Sequence, residues 1–311
     1  MYLASNDRMR VLEEEYCGFI TIVGAPNVGK STLLNKILGR KVSITSCKPQ
    51  TTRHRIIGID TKGSHQAIYV DTPGFYTEEK YMINRLMNCV ASCSLNGVDL
   101  VFFLTDSIRW GINDEVILTK LKKTSLPVVL CINKVESIRD KNQVMEHMKA
   151  ISDKMEFIDV VPISAKHGNN VDILRKHAQK FLPKASHYFA KEHVTDRSQN
   201  FMASEILREK LMRFTGDELP YSLTVQIERF NYVPSTDNLH IHSLILVERN
   251  SHKKIIIGKG GTKIKLIGRE ARFDMEALFG CRVHLETWVK VQLNWRNDEC
   301  MLRSLGYFDY L

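Results

Sequence analysis

The chain has 311 residues, enough for two ordinary domains, with 43% hydrophobic residues and a formal net charge of +9. No apolar run approaches the roughly 18 to 20 residues needed to span a bilayer, and residues 1–16 mix Asp, Arg and Glu without the apolar stretch of a secretory signal. Seven scattered cysteines with no Cys-x-x-Cys pair argue against a disulfide framework or a zinc site, which is the usage of a reduced, cytoplasmic protein.

After a short leader over residues 1–16, the chain alternates two patterns up to residue 183. Residues 19–23, 67–70, 100–105, 128–133 and 160–164 read as buried strands, and residues 30–38, 80–94, 114–122, 141–155 and 171–181 as helices. This alternation predicts an α/β domain over residues 17–183, with a mostly parallel sheet covered by helices on both faces and a ligand beyond the carboxyl ends of the strands. Residues 184–199 are polar and rich in His, Lys and Ser, and read as a linker. The remainder, residues 200–311, reads as a smaller α+β domain. Its predicted elements are a helix at 201–214, strands at 221–228 and 241–247, a strand-like apolar run at 253–257, a helix at 262–278, a strand at 283–291 and a last helix at 298–304.

Gly24, Ala25, Pro26, Asn27, Val28, Gly29, Lys30 and Ser31 fit G-x-x-x-x-G-K-S/T between a predicted strand and a predicted helix, the context a P-loop requires. Glycines let successive backbone N–H groups wrap a phosphate, and the helix offers the anion its positive end. Lys30 neutralises the outer phosphates and the Ser31 hydroxyl ligates Mg²⁺. Asp71, Thr72, Pro73 and Gly74 follow a strand, where Asp71 can hold Mg²⁺ and the Gly74 N–H can meet a γ-phosphate. Asn133, Lys134, Val135 and Glu136, and then Ser164, Ala165 and Lys166, end two further strands. They resemble the guanine-reading elements of the GTPase superfamily, in which a carboxylate accepts from the guanine ring N–H and exocyclic amine. ATP leaves such a site unpaired. The superfamily residue is Asp where this chain has Glu136, which moves the acceptor pair by roughly 1.5 Å. Gln50, Thr51, Thr52 and Arg53 occupy the place where GTPases keep a threonine that reaches Mg²⁺ only with the γ-phosphate present, a switch released on hydrolysis. Thr52 is the preferred candidate and Thr51 the alternative. His54 and Arg55 read as loop-shaping residues.

The runs GAPNVGKSTLLN, PQTTRHRIIGI, DTPGF, IIIGKGGTKIKLIG and the late RSLGY resemble the Era family of bacterial GTPases over nearly the whole chain. That resemblance implies GTP hydrolysis to GDP by a GTP-binding domain, joined to a C-terminal RNA-binding KH domain. Phe75 stands where Ras-like proteins carry the glutamine that orients the attacking water. The resemblance therefore implies slow intrinsic hydrolysis, aided by the bound RNA or ribosome or by a K⁺ ion that Asn27 helps to hold and that supplies the missing positive charge. It further implies that the RNA is the 3′ end of 16S ribosomal RNA, that the process is assembly of the 30S subunit, and that a monomer associates peripherally with the cytoplasmic face of the inner membrane.

Gly258, Lys259, Gly260 and Gly261 form a GXXG loop, which in KH domains clamps about four nucleotides by their backbone. Residues 251–272 hold seven basic residues against one acid, and Lys259, Lys263 and Lys265 of that set attract phosphates. Ile255, Ile256 and Ile257 before the loop, and Ile264 and Leu266 after it, are expected to shape an apolar groove for bases. The expected order is that of a type II KH domain. Trp288 and Trp295 read as packing anchors. One rival, an ATP-using kinase with an unrelated basic domain, is disfavoured by Asn133 and Glu136. A second, a GTPase switch for a protein or membrane partner, is separated from this reading by RNA crosslinking to the Gly258 loop.

Overall fold

The computed structural model describes residues 14–48, 50–75, 80–216 and 219–308, and only the backbone of Lys141. The first domain opens with β1 (Tyr16–Gly24) and α1 (Lys30–Leu38), then the hairpin β2 (Ile56–Lys62) and β3 (His65–Asp71). Next come α2 (Met82–Cys93), β4 (Leu100–Asp106), α3 (Ile112–Leu121), β5 (Val128–Asn133), α4 (Lys141–Ser152), β6 (Asp159–Pro162) and α5 (Val171–Phe181). The six strands lie in the order β2-β3-β1-β4-β5-β6. Only the β2–β3 pair is antiparallel.

Alternate residues of the central strands feed two cores, as expected of a sheet buried on both faces. Ile20, Ile22, Phe102, Leu104 and Cys131 pack with Leu33 and Leu34 of α1 and Leu174 of α5. Val23, Val101, Phe103, Leu130 and Ile132 pack with Ala91 of α2, Ile117 of α3 and Ile151 of α4. Gly24 pairs with Leu104, and Asp106 with Asn133, so the strands end level and their loops emerge along one rim.

The second domain runs α6 (Gln199–Phe214), β7 (Leu223–Val233), β8 (Asn238–Val247), α7 (Asn250–Ile257), α8 (Thr262–Phe279), β9 (Arg282–Val291) and α9 (Glu299–Ser304). Its sheet has the order β7-β8-β9, antiparallel and then parallel. One core joins Leu207 and Leu211 of α6 to Ile241, Ile245, Ile256, Ile267 and Met275. Trp295 is fully buried with Leu302 and Tyr307 against Ile83 and Leu86 of α2, so the C-terminal segment packs on the first domain.

Five expectations are corrected. The edge strand β2 had not been anticipated. Residues 253–257 are helical, not extended: Ile256 is buried while Ile255 is 45% exposed, the split of a helix with one face on a core. The GXXG loop therefore joins two helices, and the order is helix-strand-strand-helix-helix-strand. The linker over residues 184–199 is strapped to the first sheet, with Ile59 N donating to Val194 O at 2.8 Å and Ala185 N to Glu15 O at 3.1 Å. Tyr16, assigned to the leader, begins β1; residues 1–13 lie outside the described residues. Trp288, at 47% exposed, is no packing anchor, whereas Trp295 is.

Phe102, fully buried between α1 and the sheet beside Tyr69, tests the first core. Phe102→Ala is expected to cost about 3–5 kcal/mol, read as a lower urea midpoint for loss of the first domain's structure. An unchanged midpoint would remove Phe102 from the core.

Candidate functional site

Residue Gly29 ends the P-loop at φ 104°, left-handed, and a Cβ there would lie 2.3 Å from the Asn133 side-chain nitrogen. Only glycine fits. Helix α1 begins at the next residue, so its free N–H groups face the loop's concavity. Lys30 is buried and its Nζ donates to the carbonyls of Gly24 at 3.0 Å and Ala25 at 2.9 Å. Burial pulls that ammonium down to about 8, against the pull of the Asp71 and Asp114 carboxylates.

Three oxygens that the sequence separates widely meet here. The hydroxyls of Ser31 and Thr52 are 2.7 Å apart, and Ser31 Oγ donates to Asp71 Oδ2 at 2.7 Å. Ser43 Oγ donates to the same oxygen at 3.1 Å. Burial raises the pKa of Asp71, opposed by these hydroxyl donors and Lys30. The other oxygen, Oδ1, is buried without a hydrogen-bond partner. Thr51 points elsewhere, its hydroxyl donating to Lys48 O at 2.6 Å.

Asn133 closes the loops together: its Nδ2 donates to Val28 O at 2.7 Å and its Oδ1 accepts from Ala165 N at 2.9 Å. Lys134 is left-handed, with its Nζ 2.9 Å from Asp106 Oδ2. Glu136 is exposed, in a short turn beside the cleft.

The cleft measures about 760 Å³ and is lined by Pro26, Asn27, Gly29, Lys30, Ser31, Thr52, Gly74, Asn133, Lys134, Glu136, Ala165 and Lys166 among the sequence candidates. Other candidates serve as frame. Thr72 Oγ1 donates to Ile22 O at 3.0 Å, Val28 is a core residue, and Ser164 Oγ accepts from His167 N at 3.1 Å. The Phe75 side chain is buried among Val23, Ala91 and Ile117, with the Lys120 ammonium 4.9 Å from its ring centre. Asn27 is exposed at φ 63° and its Nδ2 donates to Cys47 O at 2.9 Å. Sequence reasoning missed Ser43, which holds Asp71, and it missed Thr45 and, from α6, Met212 and Arg213, which also border the cleft; no motif marks them. His54 stacks on Tyr307 at 4.4 Å, and burial holds its imidazole well below the ordinary range, consistent with a loop-shaping role.

In the second domain Gly258, Gly260 and Gly261 all have positive φ, and a Cβ on Gly258 would lie 2.7 Å from Lys263 Cβ. The turn thus delivers backbone N–H groups and the start of α8 to the surface, with Lys259 and Lys265 exposed around it and Ile257 and Lys263 half-buried.

Residues 19–134 match the family described as 50S ribosome-binding GTPase, and residues 218–296 match the KH domain. The chain is 66% identical over 310 residues to GTPase Era of Vibrio parahaemolyticus, covering 100% of this chain and 97% of that protein. It is 58% identical over 304 residues to GTPase Era of Yersinia pestis, covering 97% and 100%. A variant of Aquifex aeolicus Era bound to GDP·AlF4⁻ superposes with a TM-score of 0.90 at 39% identity, covering 94% of this chain and 99% of that one. Era in complex with MgGDPNP and nucleotides 1506–1542 of 16S ribosomal RNA superposes with a TM-score of 0.91 at 39% identity and the same coverage. With a P-loop domain and a KH domain in this order, and relatives this similar along the full length, the chain belongs to the Era family of GTPases.

Proposed function

We propose that this protein hydrolyses GTP at the cleft beside Gly29 and grips the 3′ end of 16S ribosomal RNA through the loop at Gly258, in assembly of the 30S subunit. The observation that carries the nucleotide half is the meeting of Ser31, Thr52 and Asp71 at hydrogen-bond distance beside Lys30. Hard oxygen donors of this kind suit Mg²⁺. The buried, unpartnered Asp71 Oδ1 supports the fit. Ser31 and Thr52 would hold the ion directly, with Asp71 at its side; bound there, Mg²⁺ neutralises phosphate charge. Lys30, now satisfied by two carbonyls, is placed to turn to the outer phosphates, whose charge restores its ordinary affinity for a proton. Gly74 offers its N–H toward the γ-phosphate, and Asn133, Lys134, Glu136, Ala165 and Lys166 receive the base.

Glu136 gives the base its paired acceptor. Glu136→Ala is expected to lose GTP-over-ATP discrimination in a competition titration; retained discrimination would remove Glu136 from that role.

With Phe75 packed in the core, no side chain at that position orients water. We assign the missing positive charge to K⁺ held partly by Asn27. Turnover is expected to be faster in K⁺ than in Na⁺, and Asn27→Ala to abolish the difference; a rate indifferent to both would end the potassium reading.

For the RNA half, the three positive-φ glycines and the lysines around them carry the reading, and the Era–16S RNA complex supports the choice of RNA. Lys259→Ala is expected to weaken binding of a 16S 3′-end oligonucleotide and to reduce the salt slope by about 0.7, measured by fluorescence anisotropy. An unchanged slope would move the phosphate contact elsewhere. The working form is a cytoplasmic monomer. Contact with the inner membrane is implied by the resemblance, and the basic surface is compatible with it; no helix among the described residues is long and apolar enough to cross a membrane.

A further inference from the structure

The segment over residues 41–53 lies between two sets of partners. Toward the nucleotide cleft, Ser43 donates to Asp71 and Thr52 touches Ser31. Toward the second domain, the same segment is taken up by α6 and the turn that follows it. Arg208, buried in the middle of α6, donates from Nη1 to Gln50 O at 3.2 Å and from Nη2 to Thr51 O. Its guanidinium plane is fixed by Glu205, which accepts from Nε and Nη2 at 2.6 Å each. The neighbouring Glu209 has no exposed side-chain surface and accepts from Thr45 N at 3.2 Å and Lys41 Nζ at 2.5 Å. In the opposite direction, Arg53 donates to Pro220 O at 2.6 Å and Leu223 O at 2.8 Å.

The Thr51 carbonyl belongs to the peptide unit whose nitrogen is that of Thr52. Because the peptide is planar, pinning that oxygen fixes the direction in which Thr52 leaves it. Gln50, just before, is left-handed at φ 59°, a conformation that a residue with a side chain keeps only where its surroundings enforce it. Arg208 supplies that enforcement on one side, and Asn84 on the other, with Gln50 Nε2 donating to Asn84 Oδ1 at 3.1 Å. A guanidinium held on two carbonyls and a carboxylate at once is charge-assisted and geometrically specific, and a lysine lacks the planar fork that makes all of these contacts together.

We infer that Arg208 is a positioning residue of the nucleotide site: from the second domain it fixes the Gln50 and Thr51 carbonyls and so holds the Thr52 hydroxyl against Ser31 and Asp71. This rests on the reading of Thr52 as a Mg²⁺ ligand.

The test uses the full chain and compares Arg208→Ala, Arg208→Lys, Thr52→Ala and the Arg208→Ala/Thr52→Ala double variant. It measures kcat and KM for GTP, the Mg²⁺ concentration giving half-maximal turnover, and GDP affinity, which needs no Thr52. Arg208→Ala is expected to lower kcat about tenfold and to raise the half-maximal Mg²⁺ concentration severalfold, with GDP affinity within twofold of the parent. Arg208→Lys falls between. The double variant is expected to be no worse than Thr52→Ala alone, because both remove the same contact. A normal kcat and Mg²⁺ dependence in Arg208→Ala, with Thr52→Ala impaired, overturns the inference and leaves the Thr52 reading intact. A normal Thr52→Ala overturns that reading and the inference together. Should Arg208→Ala lose GDP binding through misfolding, Arg208→Lys decides: parental Mg²⁺ dependence there overturns the inference.

Discussion

One side-chain amide sets the spacing on which the nucleotide site depends. Asn133 is buried at the end of β5, with a carbonyl on one side of it and an N–H on the other. Its donor end can face only Val28 and its acceptor end only Ala165, so its orientation is settled by its neighbours. Through it the loops after β1, β5 and β6 share one reference point, and the P-loop stands at a set separation from the residues proposed to receive the base. The need for glycine at position 29 is the steric face of the same arrangement, since the amide fills the space of the missing Cβ.

The two domains do not meet as independent bodies joined by a tether. The C-terminal cluster around Trp295 reaches back to α2, while α6 lies along the segment that carries Thr52. Lys210 of α6 also pairs with Asp274 of α8 at 2.7 Å, and Lys41 of the first domain approaches the same carboxylate at 3.2 Å. A chain of charged contacts therefore runs from the backbone at Thr45, through Glu209, Lys41 and Asp274, to the helix that opens at the GXXG loop. Any effect of one site on the binding free energy of the other along this chain is reciprocal by thermodynamic necessity.

How far the sequence could be read follows from where its information lies. Helices α1 and α5 were placed to the residue, because Gly29 and Gly39 punctuate the first, and Asn170 and the Leu182-Pro183 step bound the second. Strand β2 escaped because Gly58 interrupts it; the structure shows Leu34 and Leu38 packed where a Cβ on Gly58 would stand. Three successive isoleucines at 255–257 imitate a strand, and only the core beneath Ile256 decides for a helix. Within the site, side chains in motifs were legible, whereas nothing in the sequence tells that the Thr51 hydroxyl is taken by the Lys48 carbonyl while that of Thr52 lies beside Ser31. The role of α6 was invisible for a related reason. Arg208 meets positions 50 and 51 through their backbone carbonyls, which every residue carries alike.

The strap over residues 184–199 has a further consequence. Strand β2 ends the sheet, with β3 on one side and an apolar row of Ile57 and Ile59 facing Phe189. Thr195 bridges to Gly58, and Val194 receives the Ile59 N–H, so the connection between the domains occupies the ladder that β2 would otherwise present. An uncovered edge of this kind recruits strands from other molecules. The connection therefore serves as a guard against self-association, and shortening or cutting it would turn the outermost strand into a template for aggregation.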